Sequence, residues 1–193
     1  TYCIVPDVRG SEYSRPAREI LAEIAALAHN GIREVTLLGQ SVMNYGRANP
    51  VWDNSDPPSP GSYTESFARL LEAVAAIPGI IRIRFTSGHP SGVTDQLVRA
   101  MRTLPQICHH LHLPVQSGSN RILRLMRRGY TRSDYLDAVR RLRAAMPDFA
   151  LTSDVIVGFP GETEADFGET RSLMDDADFD NAFIFKYSPR PGT

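Results

Sequence analysis

Residues able to bind a ligand or do chemistry gather in five short groups: Gly39-Gln40-Ser41, Ser87-Gly88-His89-Pro90, Gln116-Ser117-Gly118-Ser119, Gly158-Phe159-Pro160-Gly161-Glu162 and Ser188-Pro189-Arg190. Any one of them can be ordinary turn chemistry, because Gly, Pro and Ser are what tight turns require. Each, however, directly follows an apolar run of strand type, and five in succession favour a ligand site on a common rim. The fourth group is a glycine-rich turn opening a helix, which offers backbone N–H groups to a phosphate or a nucleotide edge. The same turn also needs Gly161 for its shape and Glu162 or Thr163 as a helix cap, and the two roles are compatible.

Two further clusters suggest chemistry less strongly. In Cys108-His109-His110-Leu111-His112, alternate residues share one face of a strand, so Cys108, His110 and His112 point the same way. Adjacent strand residues rarely close a tetrahedral metal site without a ligand from elsewhere. The expectation is therefore no metal, with His112 as a polar wall residue. Between Arg121 and Arg143 stand eight arginines against Asp134 and Asp137. Such a stripe can contact phosphate, but it reads first as the solvated outer face of two helices.

The elements that must position these groups alternate along the chain. Strand candidates run over Glu34 to Leu38, Ile80 to Thr86, Leu111 to Val115, Leu151 to Val157 and Ala182 to Tyr187. They are short and mostly apolar, as strands covered on both faces of a parallel sheet must be. Helical patterns cover Arg15 to His29, Thr64 to Ile77, Thr94 to Thr103, Ser119 to Arg128, Ser133 to Ala145 and Glu164 to Asp176. In the first, Ile20, Leu21, Ile24, Leu27 and Ala28 form one apolar stripe, and Asn30-Gly31 supplies a stop. Recurring βα units predict an α/β fold with a parallel sheet, open or closed into a barrel, whose chemistry sits beyond the strands' carboxyl ends. Residues 46–63, rich in Pro, Gly, Ser and Asn, read as a surface loop with Trp52 as a local anchor.

At 193 residues and 42% hydrophobic composition, the chain suits one domain with a sizeable core. A net charge of -1 gives no global pull toward nucleic acid or membrane. No apolar run is long enough for a membrane span, and no secretory leader is visible. Two cysteines make no disulfide framework, which suits a reducing cytoplasm. The Thr-Tyr-Cys start and Pro-Gly-Thr finish both read as cuts within a longer protein.

Several of these stretches resemble one family in its order. Tyr2-Cys3-Ile4-Val5-Pro6 with Arg9-Gly10 and Ser14-Arg15-Pro16 is similar to the segment around the last cysteine of a CxxxCxxC motif in radical S-adenosylmethionine methylthiotransferases. Leu37-Leu38-Gly39-Gln40, the run from Leu111 to Ser119, the run from Ile156 to Thr163 and Tyr187-Ser188-Pro189-Arg190-Pro191-Gly192-Thr193 follow in that order. Arg127-Gly129-Tyr130-Thr131 and Gln116-Ser117-Gly118 resemble the tRNA-modifying branch.

The resemblance implies a partial (β/α)6 TIM-like barrel, truncated at both ends. Residues 1–193 would be its radical SAM core, with an N-terminal methylthiotransferase domain and a C-terminal TRAM-type RNA-binding domain elsewhere in the protein. It implies a 4Fe-4S cluster held by three cysteines, of which Cys3 alone is present, and S-adenosylmethionine on the open iron. A second 4Fe-4S cluster would belong to the N-terminal domain. Cofactor contacts fall by resemblance on Tyr2, Gly39, Gln40, Gln116, Ser117, Ser153, Asp154, Ile156, Gly158, Tyr187 and Arg190. Gln40 stands where the wider superfamily uses Glu. The implied reaction is radical methylthiolation of the isopentenylated adenosine beside the tRNA anticodon, in the cytoplasm, with a flavodoxin or ferredoxin as electron donor. Alternatives are the same chemistry on a threonylcarbamoyl-adenosine tRNA or a ribosomal-protein aspartate, or a barrel module without catalysis. With one thiolate, the isolated stretch is expected to be inactive.

Overall fold

The computed structural model describes Val8 and residues 10–52 and 65–189. Tyr2, Cys3 and Arg190, residues 53–63 of the expected loop, and Thr64 at the start of the expected second helix lie outside the described residues. Strand β1 (Glu34–Leu37) runs parallel to β2 (Arg82–Phe85), with Glu34 opposite Arg82. Strand β3 (His110–His112) runs parallel to β4 (Ala150–Val157), and β4 to β5 (Asn181–Lys186). A bridge at Ile83 and Ile107 joins the two groups, and Cys108 N donates to Ile83 O at 3.1 Å. Higher up, Gly88 N donates to His112 O at 3.0 Å. The strands thus stand side by side in chain order, all parallel, as the wall of a βα barrel requires.

Helices α1 (Ala17–His29), α2 (Ser66–Ala75), α3 (Asp95–Thr103), α4 (Asn120–Leu125), α5 (Arg132–Ala145) and α6 (Glu164–Ala177) precede or link these strands. Alternation along each strand sends Ile83, Phe85, Leu111, Leu151 and Val155 outward, where they are buried with Leu71, Val74, Leu97, Met101, Leu142 and Leu173 of the helices. Each such side chain contributes about 1.5–3 kcal/mol on leaving water. Trp52 packs onto this core, with the Arg69 guanidinium 4.0 Å from its ring centre, so it is an anchor as its sequence setting suggested.

Two expected boundaries shift by three residues, for local reasons. The third strand ends at His112 rather than Val115. Beyond it, Pro114 has no N–H to give, and Val115 N donates to the Ser153 hydroxyl at 3.0 Å in place of a backbone partner. The helix expected from Ser119 to Arg128 covers Asn120–Leu125 only. Arg127 takes a left-handed conformation (φ 56°), and Arg128 N donates back to Leu123 O at 2.9 Å, closing a Schellman-type stop with arginine in glycine's usual place.

Candidate functional site

The residues facing away from the helices line a concave, polar surface. At its lower end the Glu34 carboxylate accepts from Arg82 (3.0 Å) and Arg84 (2.8 Å). Those two guanidinium groups, Arg84 foremost, hold its pKa below the ordinary carboxylate value. In the middle, the Thr152 hydroxyl lies 3.0 Å from His112 Nδ1 and 3.3 Å from His110 Nε2. His112 Nε2 lies 3.4 Å from Asp154 Oδ2, and its ring meets the Phe183 ring edge-on at 6.1 Å. Burial, then the nearby Arg84 and His112, pushes the His110 pKa down. Phe183 and Phe185 stand about half exposed on this face.

Above this face the chain turns through the left-handed region at the ends of three strands, at Ser87 (φ 63°), Gln116 (φ 69°) and Gly158 (φ 72°). Only glycine takes that conformation without penalty, so Ser87 and Gln116 are held there by their surroundings. Gln116 N donates to Asp154 O and Gln116 O accepts from Ile156 N, both at 2.8 Å. Ser117 N reaches back to Val115 O at 2.9 Å, which makes Gln116 the centre of a γ-turn of the rarer, positive-φ form. After β4, Glu162 accepts from Gly158 N and, at 3.2 Å, from Phe159 N, so its carboxylate braces the turn. The cap of α6 falls to Thr163, whose hydroxyl accepts from Asp166 N. Phe159 meets Tyr187 edge-on at 5.2 Å, and Tyr187 N donates to Val157 O. On the β2 side, His89 Nδ1 accepts from Ser91 N, and its ring meets Tyr130 edge-on at 5.2 Å. Burial, then Arg128 and Arg47, lowers the His89 pKa to about 4.

This geometry sorts the sequence candidates. Gly39 and Gln40 lie exposed beyond β1, and Gln116, Gly158 and Tyr187 lie on the same rim beyond β3, β4 and β5. Asp154 and Ile156 point to the concave face. Ser153, its neighbour, points the other way: it is 0% exposed, and its hydroxyl donates to Leu113 O at 2.9 Å. Ser117 is likewise fully buried, 3.2 Å from the Thr170 hydroxyl of α6. The side chains of both serines are part of the packing and are turned from the concave face.

His112 lines the concave face, while His109 points away and pairs with Asp148 at 2.7 Å. Among the described residues no group of three or more His, Cys, Asp or Glu can hold a metal ion. Of the eight arginines, Arg121, Arg132, Arg140 and Arg141 pair with Asp166, Asp176, Asp137 and Asp95, and Arg143 donates to Asp178 O. Tyr130 and Tyr135, which could have been surface aromatics, are buried, with hydroxyls donating to Val115 O (3.0 Å) and Leu113 O (2.8 Å). No described helix is long and apolar enough to cross a membrane.

Sequence reasoning passed over two residues that hold the rim together, Asp166 and Thr170, and counted a third, Arg121, only as part of the arginine stripe. Asp166, 5% exposed, accepts from Ser119 Oγ (2.6 Å), Thr163 N (2.9 Å), Thr163 Oγ1 (2.6 Å) and Arg121. These partners, Arg121 first, hold its carboxyl far below the usual range. The Thr-x-x-Asp spacing at 163–166 was the available signal for Asp166.

The profile of the radical SAM superfamily matches residues 1–174. The chain belongs to that superfamily. This radical SAM chain is 52% identical over its whole length to the tRNA-2-methylthio-N(6)-dimethylallyladenosine synthase of Acidovorax sp. (strain JS42), of which it covers 41%. It is 51% identical, again throughout, to the protein of the same name from Methylacidiphilum infernorum (isolate V4), of which it covers 40%. The chain therefore spans about two-fifths of the length of these relatives. Among solved structures, the radical SAM enzyme coproporphyrinogen III oxidase of Escherichia coli superposes on 91% of this chain and 38% of its own, with a TM-score of 0.59 at 14% identity. Methylornithine synthase superposes on 91% of this chain and 45% of its own, with a TM-score of 0.56 at 18% identity. Those two likenesses speak to the fold alone. Radical SAM proteins of this kind use a 4Fe-4S cluster and S-adenosylmethionine.

Proposed function

We infer that this chain is the radical SAM core of a tRNA methylthiotransferase acting on dimethylallylated adenosine. The observation that carries the reading is 51–52% identity along the entire chain to proteins bearing that name. S-adenosylmethionine, when bound beside a reduced cluster, supplies radical chemistry able to activate an adenine carbon. Everything else falls to side chains and backbone that bind, orient and exclude water.

In this reading Cys3 is one cluster ligand and Tyr2 walls the adenine side. The rim chemistry suits the cofactor's groups. Gly39 and Gln40 hold the methionine amino group, and Gln116 and Asp154 take the ribose hydroxyls. Ile156, Gly158 and the backbone of Tyr187 flank the adenine, while Arg190 pairs with a carboxylate or phosphate through its planar fork. Ser117 and Ser153 drop out of the contact set because their hydroxyls are spent on the packing. The anticodon stem-loop of tRNA is the substrate, a flavodoxin or ferredoxin the electron donor, and the cytoplasm the setting. Residues 1–193 form the core domain, with the sulfur-carrying second cluster and the main RNA grip supplied by N- and C-terminal domains of the longer protein.

The test is nucleoside mass spectrometry of tRNA from cells lacking the gene for the full protein. Loss of the methylthio group with accumulation of dimethylallyladenosine is expected. Unchanged 2-methylthio-dimethylallyladenosine overturns the reading. Loss of a methylthio group elsewhere, on threonylcarbamoyl-adenosine or a ribosomal protein, overturns the target and keeps the chemistry.

A further inference from the structure

The loops that follow β3 and β4 are fastened to each other through the first turns of α6. Asp166 joins Ser119 of one loop, and Arg121 in the first turn of α4 behind it, to Thr163 of the other, and Arg121 Nη2 also donates to Gly161 O at 2.6 Å. One turn later, Thr170 Oγ1 donates to Asp166 O (3.2 Å) and accepts from Gly118 N (3.0 Å). Ser117 Oγ, 3.2 Å from Thr170 Oγ1, accepts in turn from Ser119 N at 3.1 Å. Gly118 lies so close to α6 that a Cβ there would sit 2.6 Å from Thr170 Cα. Every polar side chain of the sequence Ser117-Gly118-Ser119 is thus committed to α6.

The fastened segment begins at the strained turn. Gln116, at φ 69° without glycine's freedom, keeps that conformation only because its neighbours over-determine it. Tyr130 holds the near side through Val115 O, and the α6 contacts hold the far side from Ser117 onward. Gly158, the left-handed residue ending β4, sits on the other loop of the same assembly.

We propose that Asp166, with Arg121 and Thr170, is a positioning residue for S-adenosylmethionine: it fixes the loops after β3 and β4 as one rigid unit, so that Gln116 and Gly158 meet the cofactor at a set spacing. None of the three touches the cofactor; they act through the two turns. The inference rests on the proposed placing of S-adenosylmethionine at this rim.

A second fastener of the same kind supplies the control. Arg141 ties α5 to the start of α3 through Val93 O (3.0 Å) and Asp95, away from both turns. In the full-length protein, reconstituted anaerobically, Asp166→Asn, Arg121→Lys, Thr170→Val and Arg141→Gln are each measured for thermal midpoint, for S-adenosylmethionine Kd and for tRNA Kd. Misplacing a bound group by a fraction of an ångström is expected to weaken cofactor binding about tenfold in the first three variants, with tRNA Kd unchanged. Arg141→Gln is expected to lower the thermal midpoint and leave the cofactor Kd within twofold. Should Asp166→Asn fail to fold, Arg121→Lys and Thr170→Val decide. Cofactor Kd values that track the thermal midpoint equally in all four variants overturn the positioning role and leave the proposed function standing. A parent protein that does not bind S-adenosylmethionine at all overturns both.

Discussion

Gly118 is the residue with the least room to change. Its missing side chain lets the β3 loop lie against the backbone of α6, and that backbone cannot step aside as a flexible side chain could. Gly118→Ala is expected to cost about 2–3 kcal/mol, read as a fall in thermal midpoint of roughly 5–10 °C. Gly129→Ala, with nothing within 4 Å of the new methyl, is expected to be near neutral, and equal effects from both would refute the close-packing account. His89 makes a different kind of demand. Its folded pKa is lowered to about 4 from 6.5, chiefly by burial, so the unfolded chain takes up its proton first. The stability it permits is complete above pH 6.5 and is lost as pH falls toward 4, on the order of 3 kcal/mol across that window. Urea unfolding as a function of pH checks this: the slope between pH 6.5 and 4 is expected to flatten in His89→Phe. An unchanged slope assigns it to another group.

At the scale of elements, α5 and α6 open in the same way, with a threonine N-cap and an aspartate three residues on. Thr131→Ala at the exposed start of α5 is expected to cost about 1 kcal/mol by denaturant unfolding, with no effect beyond that helix. A loss near zero would mean the box adds nothing to α5. Both helix starts were readable in the sequence, because a capping box is written within four residues. What the boxes also hold was not. Asp166 is bonded to partners 45 and 47 residues away, and no local pattern points there. The bonds of the Ser117 and Ser153 hydroxyls were illegible for the same reason: a serine at a strand end looks free until the element packed against it is known. The arginine stripe is visible in the sequence, but the aspartates that pair with it at Asp95, Asp166 and Asp176 lie far off along the chain.

For the whole molecule, the alternation of apolar runs with helical stripes was enough to specify five parallel strands and the rim where polar groups collect. The period of each element dictates which face it buries, and parallel strands leave few topologies to choose among. The sequence could not say how the concave face is wired, from the Glu34 ion pairs to the chain of His110, Thr152, His112 and Asp154, since these contacts cross from strand to strand. Strand order has one more consequence. Because each strand pairs with the one made just before it, the sheet can grow as the chain leaves the ribosome, each βα unit docking on a neighbour already in place. The rim cannot be finished that way. Gln116 is synthesised some fifty residues ahead of Thr170, so its turn stays unlocked until α6 emerges, and the last local feature to set is the one the proposed chemistry depends on.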